Sequence, residues 1–205
     1  MEVFSLTPEE QALVANADWL YLKNSVLQKV MELMGKLQEA LQAHPVTEKF
    51  SFPENCLQLG GKISRGERYK DLPYIILDYP RYFSKERIFA FRTMFWWGHY
   101  FTATLHLAGG EKDRYSHAVA SAWHQLAEHE FQIYLQEDPW QHDLEDGNYK
   151  LISAIPVLEF KQLIYQRSFI KLAKPYSFEE WGKIVPEVTE DYALLLQLLT
   201  SVTIR

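Results

Sequence analysis

Ile88-Phe89-Ala90-Phe91-Arg92-Thr93-Met94-Phe95-Trp96-Trp97-Gly98-His99-Tyr100-Phe101-Thr102-Ala103-Thr104-Leu105-His106-Leu107 is the stretch whose reading sets the fold. Two apolar, aromatic and β-branched runs flank Gly98-His99, and glycine at the first central position of a two-residue hairpin turn admits φ > 0. That turn predicts Trp97 opposite Tyr100, Trp96 opposite Phe101 and Phe95 opposite Thr102. Upstream, Leu57–Ile63 and Leu72–Tyr79 are further strand-like runs. Ser64-Arg65-Gly66-Glu67 and Pro80-Arg81-Tyr82-Phe83-Ser84 separate the runs. The expectation is a four-stranded antiparallel meander. Residues 84–95 stay open to a helical reading, because Ile88, Phe91, Arg92 and Phe95 also share a helix face.

Helices are predicted on both sides of the meander. Thr7-Pro8-Glu9-Glu10 combines a capping threonine, a proline at the first helical position and a glutamate three residues past the cap. Leu20, Leu27, Val30, Met34, Leu37 and Leu41 then form one apolar stripe running to about His44, with a break near Asn16–Asp18 giving one helix or two. The stripe reads as core, since it spans only about three heptads. Beyond Gly109-Gly110 the pattern predicts a helix over 113–136, a polar acidic loop, a helix over Leu158–Leu172 ended by Pro175, and a last helix from the Ser177-Phe178-Glu179-Glu180 cap, interrupted at Pro186. Segregated strands and helices argue for an α+β fold, with three to four C-terminal helices packed on the sheet. No linker or repeat divides residues 1–205, so one domain is expected.

The chain has 205 residues, a net charge of −6 and 30 aromatic residues among its Phe, Tyr and Trp. Its single cysteine, Cys56, excludes an intramolecular disulfide and all-cysteine metal sites. It carries no basic leader followed by an apolar run and no stretch of 18 apolar residues, so a cytoplasmic location away from the membrane is expected.

The charge is unevenly placed. Residues 62–92 hold eight basic and four acidic side chains, a +4 segment in a chain whose remainder is −10. Twelve aromatic residues lie between Tyr69 and Phe101. Arginine pairs bidentately with oxyanions and rings stack on planar ligands, so this combination points to an anionic small molecule or a phosphate-bearing ligand. The expected site is Arg65, Arg68, Arg81 and Arg92 for charge, with Tyr69, Tyr82 and Trp97 for stacking. The competing reading has the rings facing the core and the arginines paired or solvated. The negative total argues against extended nucleic acid.

Other motifs are incomplete. Gly60-Gly61-Lys62-Ile63 fails as a phosphate loop, since Cys56 stands where the first glycine belongs and Ile63 where the hydroxyl does. His129-Glu130-Phe131-Gln132-Ile133 lacks the second histidine of a zinc-protease helix. His117, His124 and Glu128 fall on one face of the expected 113–136 helix. With His106 or His142 they offer an alternative metal site for zinc, iron or manganese, and hence a metal-dependent enzyme. That face lies opposite the apolar stripe, so a solvated surface is the simpler account, and the main reading needs no cofactor. A third alternative is an interaction protein whose helix stripes mediate oligomers. The sequence leaves open catalysis, ligand identity, oligomeric state and which sheet face is free.

Overall fold

The computed structural model describes residues 4–145 and 147–200. Thr7 caps α1 (Pro8–Ala15) through the reciprocal box with Glu10, and Asn16 ends α1 while capping α2 (Ala17–Ala43). The break near Asn16–Asp18 is therefore real. A short α3 (Pro45–Lys49) follows, and Thr47 ties it down by donating to the Leu41 carbonyl at 2.6 Å and sharing a 2.9 Å bond with the Tyr192 hydroxyl.

The fold is α+β, but its antiparallel sheet has seven strands rather than four: β1 (Lys62–Tyr69), β2 (Leu72–Phe83), β3 (Arg87–Trp96), β4 (Tyr100–Gly109), β5 (Gln132–Tyr134), β6 (Tyr149–Leu151) and β7 (Phe169–Tyr176). Their spatial order is β1-β2-β3-β4-β7-β5-β6. The expected meander is its first four strands, and 84–95 is strand from Arg87 onward.

Three predicted boundaries move for identifiable reasons. The first run does not begin a strand at Leu57, because residues 54–59 form turns and pairing starts at Lys62. Lys70-Asp71 makes the next turn with both residues at positive φ, a job more often given to Asn-Gly. The Gly98 turn is one residue longer than expected: Trp96 faces Tyr100 and Phe95 faces Phe101, leaving Trp97-Gly98-His99 in the loop with Gly98 at φ +77°. This register sends both phenylalanines to the core, which a one-residue slip would forbid. Gly98→Ala should cost about 1–2 kcal/mol through the left-handed backbone alone, because nothing crowds the added methyl. Denaturant titration reads it directly.

The two long C-terminal helices of the sequence reading each break into helix plus strand. Over 113–136 the chain forms α4 (Gly110–Ser121) and α5 (Trp123–Glu128), turns at Glu130 with φ +59°, and enters β5. Over 158–172 it forms α6 (Val157–Gln166) and then β7. Pro175 sits in β7 opposite Thr102, beyond the two residues where β5 pairs, so its missing N–H interrupts no second ladder. A 3-10 turn (Phe178–Lys183) leads into α7 (Ile184–Thr200), whose first turn accommodates Pro186.

Period-two alternation divides the sheet. Ile75, Leu77, Phe89, Phe91, Phe95, Phe101, Leu105, Leu107, Ile170 and Leu172 join the large core with Val30, Met34, Leu37 and Leu41 of α2 and with residues of α4 and α7. The opposite face presents Asp78, Arg92, Thr104, His106 and Lys171, flanked by two small clusters around Trp96 and around Tyr134 and Phe169.

Candidate functional site

Register brings the polar face together. Asp78 lies opposite Arg92 and Arg92 opposite Thr104, while Ala90, His106 and Lys171 are aligned one step along on β3, β4 and β7. Residues 135–145 of the connection between β5 and β6 cross this face as a roof. It is pinned on both flanks. The Tyr69 hydroxyl donates to Asp143 at 2.6 Å and accepts from the His142 and Asp143 amides, while the Tyr100 hydroxyl accepts from the Leu144 amide at 2.9 Å. Lys70 reaches the Asp143 carboxylate at 3.0 Å.

Under the roof, Arg92 holds Asp78 in a fork of 2.7 and 2.9 Å bonds. Its remaining arm meets His142 Nε2 at 2.8 Å. Guanidinium can only donate, so Nε2 accepts and the imidazole proton rests on Nδ1. Lys171 is 2% exposed. Its ammonium donates to the Pro139 carbonyl at 3.0 Å and to that of Gln141, and stands 4.4 Å above the Tyr134 ring. Among the described residues no carboxylate forms an ion pair with it. Beside it, His106 Nε2 is buried without a hydrogen-bond partner. Phe83, Ala90, Arg92, Thr104, His106, His142 and Lys171 enclose a pocket with room for about one water molecule. Trp140, half exposed, packs edge-on to the His106 ring at 5.9 Å between centroids and lies 6.4 Å from that of Phe83.

Burial makes charge costly here. It pushes His106 down to about 3, helped by the positive charges of Lys171 and Arg92. It pushes His142 to about 2, with Arg92, Lys171 and His106 adding to the effect. Lys171 falls to about 7, first through burial and then through Arg92, against the partial pull of Asp138 and Asp143. Burial works against ionising Asp143 too, but the bonds from Tyr69 and Lys70 outweigh it and hold its carboxyl below the usual range.

The residues singled out from sequence are not gathered into one site. Tyr69 and Arg92 meet under the roof, both through His142. Arg65 and Arg68 are exposed on the edge strand β1. Arg81 is held by the Gly60 and Leu59 carbonyls at 3.2 Å, Tyr82 lies under the Arg87 guanidinium, and Trp97 packs edge-on to Phe95 against the helix-side core. His117 lies on α4 and His124 and Glu128 on α5, all exposed, so the shared face of a continuous helix does not exist. No set of three His, Cys, Asp or Glu residues among the described ones is grouped to hold a metal ion. Cys56 is buried, and burial pushes its thiol up to about 12, far from a nucleophile's range.

No family model, curated protein or solved structure matches the chain. Among the described residues no helix is long and apolar enough to cross a membrane. The residue that sequence reasoning missed is Lys171. Its signal was a lone lysine inside the apolar run Phe169-Ile170-Lys171-Leu172-Ala173, which a strand buries and a surface helix would not.

Proposed function

We propose that this protein binds a small anion under the 135–145 roof, with Lys171, Arg92 and His106 as its ligands. The observation that carries this is a buried ammonium with no carboxylate partner, beside an imidazole nitrogen with no partner at all. The one carboxylate in the row, Asp78, is saturated by Arg92. A buried cation and an unpartnered ring nitrogen are costly unless something meets them, and an anion meets both once His106 carries its proton on Nε2. With room for about one water molecule, the pocket suits a monatomic anion such as chloride better than formate or nitrite.

Binding would keep Lys171 protonated, because the anion favours its charged form. Affinity is therefore expected to be full below about pH 7 and to fall up to about tenfold per unit above it. Calorimetry with formate, nitrite and chloride in an anion-poor buffer, at about one pH unit either side of neutrality, tests the reading. Saturable heat that weakens on the alkaline side supports it. No saturable binding by any of the three up to about 50 mM, a range in which Kd values reach only about −2 kcal/mol, sinks it.

A further inference from the structure

The N-terminal arm poses a separate problem. Every residue from Phe4 to Leu22 is exposed, and α1 buries nothing. The stripe that seats α2 on the sheet continues past the body: Val30, Met34, Leu37 and Leu41 are fully covered, whereas Leu20 on the same stripe is 51% exposed. Phe4, Leu6, Leu13, Val14, Trp19, Tyr21 and Leu22 are exposed with it. An eight-residue helix is marginal in water on its own, and a capping box adds only about 1 kcal/mol. Such an arm needs a surface to lie on.

Charge identifies that surface. Residues 4–22 carry Glu9, Glu10 and Asp18 and no basic residue. That pattern suits a cationic groove and is the reverse of a helix built for anionic lipid. The chain has a groove of about 690 Å³ where α2 leaves the sheet beside β1; Leu27, Met31, Tyr74 and Ile75 supply apolar wall, and Arg65 and Glu67 are its charged lining. The groove's carboxylate, Glu67, is already bonded to Lys23 at 2.7 Å. Arg65 and Arg68 are exposed, and among the described residues neither side chain has an ion pair or hydrogen bond.

We propose that the arm of each chain lies in the α2–β1 groove of a second copy, in a reciprocal two-fold dimer. Arm and groove share α2, so one two-fold axis makes both contacts at once, as an isologous interface requires. The eight exposed apolar side chains lie around the arm, so about half of them, on the order of 400 Å² per copy, can face a groove at once; with the same copy's groove wall this approaches about 800 Å² per copy, the size of a standard stable interface. Glu9 and Asp18 meet Arg65 and Arg68 at the rim and set the register of the pairing.

Sedimentation equilibrium of the full chain at about 20 μM, a concentration well above the Kd of a standard interface, tests this. The expected mass is that of two 24.1 kDa chains. Trp19→Glu/Leu22→Glu should give a monomer with an unchanged circular dichroism spectrum in the sheet region. Arg65→Glu/Arg68→Glu and Glu9→Lys/Asp18→Lys should each weaken self-association about tenfold or more. Mixed together, those two charge variants should recover a mass of two chains, because opposite charges then meet in both directions, acidic arm on basic groove in one and basic arm on acidic groove in the other. A monomeric wild type, a dimer indifferent to the arm substitutions, or a mixture no tighter than its components would overturn the proposal.

Discussion

Lys171→Met is expected to weaken anion binding about 100-fold, equivalent to ~2.7 kcal/mol, while leaving the protein folded. Methionine keeps most of the length of the apolar stem that crosses Tyr134, so packing is retained. The substitution leaves the Pro139 and Gln141 carbonyls without a donor, a loss of about 1–3 kcal/mol. Against this it removes the desolvation of a buried ammonium, a penalty of similar order. The two effects oppose each other, so the unfolding midpoint should move little. Affinity has no such compensation, because the positive end of the site is gone. Calorimetry on the variant, with Lys29→Met as an exposed control, reads the difference. Wild-type affinity in Lys171→Met would remove Lys171 from the site.

The second large effect is acid sensitivity. His106 and His142 are held neutral, with folded values of about 3 and about 2 against an ordinary 6.5. Below 6.5 the unfolded chain takes up protons that the native state refuses. Their contribution is thus intact above about 6.5 and is lost as pH falls toward 3, at up to ~1.4 kcal/mol per unit for each imidazole. Asp143, whose carboxyl is held down by Tyr69 and Lys70, loses stability in the same direction. Lys171 acts at the other end: the unfolded lysine remains protonated between about 7 and 10.5 while the native one does not, so stability rises with pH there. The optimum should lie on the alkaline side of neutral. Urea unfolding across about pH 4 to 9 measures it, and His106→Phe/His142→Gln should flatten the acid limb. A wild-type midpoint that stays level down to about pH 4.5 would contradict neutral burial of these rings.

Much of the fold was legible where one physical signal dominated. Thr7-Pro8-Glu9-Glu10 announces a helix start through three features that agree, and the β2–β3–β4 core strands stand out because half their residues are large and apolar. Legibility failed where a strand is buried on both faces or very short. Phe169–Tyr176 shows no clean alternation, since its first five residues are all buried, and it extends an apolar helix pattern without a glycine or proline to mark the join. Gln132–Tyr134 is three residues long, and the helix before it ends at Glu128 in a turn through Glu130, a residue type seldom given positive φ. The site suffered the same way. Arg92 and Tyr69 were found because they lie where basic and aromatic residues cluster, and Lys171 was hidden by the misread strand that carries it. Arg65 and Arg81 have the same chemistry as Arg92, but no pattern of residue types tells an edge arginine from one aimed under a roof.

The position of β7 has a consequence for the order in which the molecule can be completed. The first four strands follow one another along the chain and can pair as they emerge, whereas the β5–β6 hairpin finds its other neighbour only in β7, at Leu172 and Ala173. That closing strand arrives more than 60 residues after β4 begins, and such distant pairings form late. Within the sheet, β7 is the strand that joins the N-terminal meander to the hairpin that carries the roof. Lys171 lies on that strand and bonds to the roof from beneath. The lysine wall of the pocket therefore depends on the pairing that closes the sheet.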